Sequence, residues 1–206
     1  MSKLLHSRPA RVSSPCPRLH RSGFRSQFQG WAHFYAKHFA IRLDEGQFRF
    51  PRARKGFERL VIVPAGLTIF QVISVLELRF PVELDHKMKD SNISSDRTQE
   101  IGYAILTRYW NQHGNTFRSW SANRLRRKGV PCLTLLEQLL IEMKHYAEAG
   151  KHFGNTIALC AGSRLDSGEV PAVLWQTMQK DPELQIFTVS PRDHQEFMSA
   201  REVLTT

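Results

Sequence analysis

The clearest helical pattern in the chain is the sequence TLLEQLLIEMKHYAEAG, which begins at Thr134 and ends at Gly150. Its apolar positions recur every three or four residues, which is typical of a helix with one buried face. Thr134 and Glu137 form a capping box at the start, and the closing glycine favours the left-handed conformation that terminates helices. We expect this to be the main helix packed on a sheet, with Glu142, Lys144 and Glu148 on the side opposite its apolar face.

Apolar runs bounded by polar turns predict strands and a second helix in the middle of the chain. The run RLVIV over residues 59–63 precedes a Pro-Ala-Gly turn and is typical of a buried strand. Thr68 and Gln71 then form a second capping box, followed by apolar residues at helical spacing. Residues 101–110 are apolar on both faces, so we expect a strand near the middle of a sheet. The polar residues 84–99 predict a surface loop.

The last third of the chain predicts three strands and a closing helix. Strands are expected over residues 156–160, 170–175 and 184–189, the first two joined as a hairpin. Pro171 favours an edge strand or a bulge, because proline cannot donate a backbone hydrogen bond within a sheet. A short helix over residues 195–203 would close the chain. Together the elements predict an α+β fold, with a small mixed or antiparallel sheet of about four to five strands packed by two main helices.

Aromatic residues near the start of the chain form a stripe at helical spacing. Its members are Phe24, Phe28, Trp31, Tyr35 and Phe39. A basic amphipathic helix with such a face either lies on a membrane surface, docks in the groove of a partner, or packs on the body of the same chain. Nine of the 21 aromatic residues precede residue 58, which favours packing, because few folds leave so many aromatic rings exposed.

Positive charge is concentrated in the first quarter of the chain. Residues 1–57 hold 12 lysines and arginines against two acidic residues, whereas residues 58–206 hold 17 of each sign. We therefore expect a basic, aromatic-rich N-terminal extension over residues 1–57, partly disordered or loosely packed, and a single neutral α+β domain over residues 58–206. This division predicts that the body folds after the extension has been deleted.

The cations of the extension predict contact with a polyanion or with a protein partner. Arg49, Arg52, Arg54 and Lys55 stand among aromatic residues such as Trp31. Proteins that bind single-stranded nucleic acid combine these residue types, because cations hold the phosphates and rings stack on the bases. No spacing typical of an RNP motif, a KH domain or a zinc finger is present. We assign binding to these five residues in a noncatalytic interaction module, with sequence-nonspecific nucleic-acid binding as the alternative.

A second group of cations falls at the end of a short predicted helix, which follows Ser121 and is closed by Gly129. Arg126, Arg127 and Lys128 occupy the last turn of this helix. Cations at this end complement the helix dipole, so a structural role is favoured and a second polyanion contact is the alternative.

The segment CAGSR, residues 160–164, is a third group of residues that could bind a ligand or catalyse a reaction. Cys160 or Ser163 would serve as a nucleophile, with His152 or His145 as its base and Asp166 to orient the base, which would make the protein a small hydrolase or transferase. The segment lacks the GxSxG spacing of a nucleophile elbow, and a cysteine at the end of an apolar strand is usually an inert thiol. A structural role is therefore favoured, followed by an anion or partner contact through Arg164, with catalysis last.

The remaining sequence signals are negative. The three cysteines Cys16, Cys132 and Cys160 form no CxxC pair, which is typical of reduced thiols in a cytoplasmic protein. No window approaches 18 consecutive apolar residues, so no transmembrane helix is expected. The spacing of histidines and acids matches no zinc or calcium pattern, and no glycine-rich phosphate loop is present, so we expect no metal and no cofactor.

Three stretches of the chain resemble segments of a family of uncharacterised bacterial proteins. They are VIVPAGLT, GVPCLTLLEQLLIEMKHYAEAGKHF and TIALCAGSRLDSGEVPAVLW, all between residue 57 and residue 175. The resemblance implies that the shared unit is the neutral body without the basic extension. It implies no catalytic residue and no ligand.

Overall fold

The secondary structure comes from a computed structural model that describes residues 21–97, 100–108, 117–152, 156–176 and 182–206. In these ranges the helices are α1 (Arg21–Phe39), α2 (Ile69–Glu77), α3 (Ala122–Arg127) and α4 (Leu135–Ala149). The strands are β1 (Arg59–Val63), β2 (Val82–Leu84), β3 (Ile93–Ser95), β4 (Tyr103–Thr107), β5 (Ile157–Leu159), β6 (Ser163–Leu165), β7 (Val170–Gln176), β8 (Glu183–Val189), β9 (Met198–Ala200) and β10 (Val203–Leu204). The predicted α+β class is confirmed.

The described strands form sheets of three, five and two strands. The first has the order β1-β4-β10 and is antiparallel. The second has the order β2-β8-β7-β5-β9 and is mixed, because its two outer pairs, β2 with β8 and β5 with β9, are parallel. The third is the antiparallel pair β3-β6. As predicted, β4 lies in the middle of its sheet. None of the helices in the described ranges combines the length and the apolar character that a membrane-spanning helix needs.

Helix α4 lies at the centre of the core. Its capping box between Thr134 and Glu137 is present, and Gly150 ends it with a φ of 64°. On the side opposite the apolar face, Glu148 is exposed as a polar face predicts, whereas Glu142 and Lys144 are buried against that prediction. Other elements pack on that side of the helix as well: Lys144 Nζ lies 5.0 Å from the ring centre of Trp31 in α1. A helix covered from several directions must also bury the polar residues of its outer face.

Helix α1 packs along the outer edge of β1, which is the edge strand of the three-stranded sheet. The side chain of Gln27 donates to the Glu58 carbonyl and accepts from the Leu60 N–H, both at 2.8 Å. The Tyr35 hydroxyl donates to the Ile62 carbonyl at 2.6 Å. Of the alternatives that the stripe left open, packing on the body is therefore confirmed. The description of the extension as loosely packed does not hold for α1, while the division at residue 57 stays a prediction.

Strand β7 lies in the middle of the five-stranded sheet, so the expectation that Pro171 marks an edge is wrong. The Pro171 carbonyl accepts a hydrogen bond from Cys160 N at 2.9 Å. In a regular ladder the Cys160 carbonyl would accept from the N–H of residue 171, which proline lacks. That carbonyl accepts from Ser163 N at 2.9 Å instead. The proline is tolerated because the missing donor leaves no acceptor without a partner.

Two further expectations fail where strands pair over long distances in the sequence. Residues 195–203, expected as a helix, include β9, which pairs with β5, and lead into β10, which pairs with β4. Residues 84–99, expected as a surface loop, include β3, which pairs with β6. Strands of two or three residues carry too little local pattern to be predicted without their partners.

Candidate anion-binding surface

The basic residues that follow α1 are displayed on the surface. They are Arg49, Arg52, Arg54 and Lys55, and all four side chains are exposed. None of them forms an ion pair with another described residue. The Arg54 guanidinium lies 5.6 Å from the ring centre of Phe57, which is itself buried. This segment is therefore attached to the core through its aromatic residues and presents its cations outward.

Trp31 does not belong to this surface. Its side chain is 1% exposed, and the indole Nε1 donates to the Leu60 carbonyl at 2.8 Å. The ring stacks on Tyr35 with 5.6 Å between the ring centres. A ring that stacks on nucleic-acid bases must be accessible. The binding role predicted for Trp31 is therefore wrong, because the aromatic stripe is used to build the core.

Two adjacent cavities share Asp96 and Pro131 as a common wall. The first has a volume of about 810 Å³, and Arg49 is among its lining residues. The second has a volume of about 700 Å³, and its lining includes Arg126 and Arg164. Two of the predicted binding residues, one from the basic segment and one from CAGSR, thus lie on one face of the protein. For Arg126 the sequence favours a structural role over an anion contact, because its position in the last turn of α3 complements the helix dipole.

An ion pair stabilises the wall between the cavities. Arg97 donates from Nε and Nη2 to the two carboxylate oxygens of Glu137, at 2.5 and 2.6 Å. The same Nη2 donates to the Cys132 carbonyl at 2.6 Å. Bidentate arginine–carboxylate pairs fix geometry as well as charge. Because Glu137 is fully buried in the first turn of α4, the pair ties the segment after β3 to the main helix. The sequence placed Arg97 in a loop and contained no signal for this contact.

Arg164 borders the second cavity from strand β6. Its neighbours in β6, Ser163 and Leu165, are buried, whereas Arg164 is half-buried against the second cavity. The Nη1 atom of Arg164 is buried and has no hydrogen-bond partner among the described residues. Burial lowers the pKa of this arginine, and the positive charge of Arg126 lowers it further. The negative charge of Asp96 opposes this shift without cancelling it, so the charged form of Arg164 stays disfavoured.

Ser163 and His152 lie near opposite ends of α4. The Ser163 hydroxyl accepts from the backbone N–H of Leu135, the first residue of the helix, at 3.0 Å. His152 stacks on Tyr146, eleven residues further along the helix, with 4.6 Å between the ring centres. Eleven residues of helix span about 16 Å. The predicted pairing of Ser163 with His152 as nucleophile and base is therefore wrong, because the helix separates them.

Cys160 and His152 are also in surroundings that make them unreactive. Cys160 is 1% exposed, and burial raises the pKa of its thiol well above the usual range. Burial against Tyr146 and Trp175 lowers the pKa of His152 to about 4. A neutral buried thiol is a poor nucleophile, since the thiolate is the reactive form. This geometry favours structural roles for both residues.

The chain matches no protein-family model, no curated protein and no solved structure. The resemblance to a bacterial family accordingly stays a prediction.

Proposed function

We propose that this protein is a noncatalytic interaction module that contacts a polyanion through its basic segment, defined as residues 49–55. The observation that carries the proposal is the exposure of four cations within this segment, each without an ion-pair partner among the described residues. Uncompensated like charges so close together raise the local potential and attract phosphate-bearing polymers.

The mode of contact that we propose is electrostatic and independent of sequence. Of the aromatic residues beside the cations, Phe48 and Phe57 are buried, and the half-buried Phe50 packs against Phe28 with 6.1 Å between the ring centres. These rings are therefore used for packing and are not offered to bases as they are in single-strand binders. Contacts to phosphates alone carry no sequence information. A duplex nucleic acid of arbitrary sequence is therefore the appropriate polyanion for the test.

The test is a quadruple variant of the full chain, in which the four cations of the basic segment are changed to glutamine. We measure binding to a short labelled DNA duplex by fluorescence anisotropy over a range of salt concentrations. Each phosphate contact contributes about 0.9 to the slope of log K against log salt. The variant is expected to bind much more weakly and with a shallower slope.

A second quadruple variant serves as the control, because it removes the same charge from exposed positions elsewhere. Its substitutions are Lys37→Gln, Lys89→Gln, Lys151→Gln and Arg192→Gln, all at exposed residues that belong to none of the predicted polyanion contacts. The proposal holds if the control keeps most of the affinity and slope of the wild type. Equal losses in the two variants would show that net charge alone matters, and unchanged binding in the first variant would refute the assignment to the basic segment.

We also propose that the protein works in the cytoplasm. Cys132 and Cys160 are free and buried, and unpaired cysteines are common in reducing compartments. Recovery of the full chain in the cytoplasmic fraction of expressing cells is the expected result, and recovery outside it would contradict the proposal.

A further inference from the structure

The second cavity lies between the β3-β6 pair and helix α3. Arg164 of β6 stands opposite Ser94 of β3 in the strand register, and both residues line the cavity. Asn123 and Arg126 of α3 line it as well. The Asn123 N–H donates to the Pro191 carbonyl at 2.9 Å, which anchors the start of α3 to the loop after β8. The cavity therefore brings together side chains from four separate parts of the chain.

Two arginines face this concavity without an equal number of acidic partners. Neither Arg126 nor Arg164 forms an ion pair with a described residue. Asp96 is the one carboxylate among the described lining residues. It lies on the wall shared with the first cavity, and its single negative charge acts on both Arg164 and Arg97. An arginine with a buried, unpartnered Nη1 beside a second arginine is costly unless an anion joins them.

We infer that the second cavity is a binding site for a phosphate monoester, held between Arg126 and Arg164. Guanidinium groups donate pairs of hydrogen bonds to phosphate oxygens. A phosphate dianion balances the charge of two arginines, whereas a single carboxylate balances only one. The Ser94 hydroxyl and the Asn123 amide are neutral groups that suit the hydroxyl-bearing part of such a ligand. A volume of about 700 Å³ is far more than a phosphate needs and lies in the range of small-molecule sites.

The site is distinct from the basic segment and does not rest on the proposed function. Polymer binding through the basic segment depends on many weak phosphate contacts, whereas this cavity takes one phosphate with its organic group. A small phosphate monoester therefore tests the cavity alone. Ribose 5-phosphate is a suitable probe, since it carries both the dianion and several hydroxyl groups.

Titration calorimetry of the full chain with ribose 5-phosphate is the test, at constant ionic strength and near pH 7.5, where a phosphate monoester carries almost two charges because its second pKa is about 6. We expect saturable binding of one molecule per chain. Ribose, which has no phosphate, and acetate, which has one charge, are expected to bind far more weakly. Failure of ribose 5-phosphate to saturate, or equal binding of acetate, would overturn the inference.

Matched variants locate the site. Arg164→Gln and Arg126→Gln are each expected to weaken binding about tenfold or more, because each removes charge-assisted hydrogen bonds. Arg127→Gln removes a neighbouring exposed cation that does not line the cavity, and it should bind like the wild type. Arg126 is exposed on α3, so its variant remains informative even if Arg164→Gln fails to fold. An equal loss in Arg127→Gln would overturn the inference.

The two proposals fail independently. The quadruple variant of the basic segment is expected to keep ribose 5-phosphate binding while it loses duplex binding. If the wild-type chain binds the duplex and does not bind ribose 5-phosphate, the cavity inference is refuted and the polyanion proposal still holds. The reverse result would refute only the polyanion proposal.

Discussion

The indole Nε1 of Trp31 donates a hydrogen bond of 2.8 Å to the carbonyl oxygen of Leu60, and so joins helix α1 to the open edge of β1. Gln27 and Tyr35, one helical turn on either side, donate to Glu58, the residue just before β1, and to Ile62 within it, two positions before and two after Leu60. Four residues of helix advance about 6 Å and two residues of strand about 6.6 Å, so the two repeats match. Side chains of α1 thus form hydrogen bonds with backbone groups at an edge that could otherwise pair with another strand.

These edge contacts predict the effect of removing a single polar atom from α1. Tyr35→Phe deletes only a hydroxyl, and Tyr35 is fully buried. The Ile62 carbonyl would lose its partner on that side, and we expect a loss of about 1 to 3 kcal/mol in the free energy of unfolding. Trp31→Phe should cost at least as much, because it also removes ring volume. Urea unfolding of both variants is the measurement, and a Tyr35→Phe variant as stable as the wild type would contradict the role given to these bonds.

The packing of α1 also changes what deletion of the N-terminal extension should do. The charge division predicts a folded body after the removal of residues 1–57. The structure predicts the opposite, because that deletion removes Trp31, Tyr35 and Phe57 from the core and exposes the edge of β1. We expect the truncated chain to lose cooperative thermal unfolding, as measured by circular dichroism. A sharp transition at the temperature of the full chain would show that the body is independent.

Glu142 predicts a specific dependence of stability on pH. Burial raises the pKa of its carboxyl from 4.5 to about 7, and Arg201 and the hydrogen bond from Trp175 oppose the shift. Between about pH 4.5 and about pH 7, the Glu142 carboxyl is therefore protonated in the folded state and ionised in the unfolded chain. This contribution to stability is fully present below about pH 4.5 and is lost as the pH rises towards about 7.

The test for Glu142 is the difference in unfolding free energy between the wild type and Glu142→Gln. Glutamine keeps an oxygen that accepts from Trp175 and does not titrate. Relative to this variant, the wild type should become less stable as the pH rises from about 4.5 to about 7, and the difference should level off above that range. A difference that does not change with pH would show that Glu142 titrates alike in both states.

Cys160 is expected to resist thiol reagents in the folded protein. It is 1% exposed, and burial raises the pKa of its thiol, so little thiolate is accessible near neutral pH. A Cys16→Ser variant removes the cysteine that lies outside the described residues. The other thiol that this variant keeps, Cys132, should also be unreactive, because burial raises its pKa to about 12. The native variant should label only after unfolding in urea. Fast labelling of Cys160 in the native state would reopen the catalytic hypothesis.

The elements that could be predicted from the sequence are those with local causes. The capping boxes at Thr68 and Thr134 join a side chain to the backbone three residues later, so both ends of each contact lie in one short window. The aromatic stripe of α1 is visible for the same reason, although Phe34, which is also buried, was not counted in it. The exposure of the cations in the basic segment also follows from their charge.

What the amino-acid order determined by itself was therefore the position of each long helix, the strands β1 and β4, and the concentration of positive charge near the N-terminus. The tertiary structure alone decided which polar residues are buried, where three-residue strands such as β3 and β9 pair, and which side chains share a cavity. Arg126 and Arg164 line one cavity only because the fold brings β6 and α3 to the same part of the molecule. Local patterns reflect contacts within a few residues, whereas burial and cavities depend on what the rest of the chain places there.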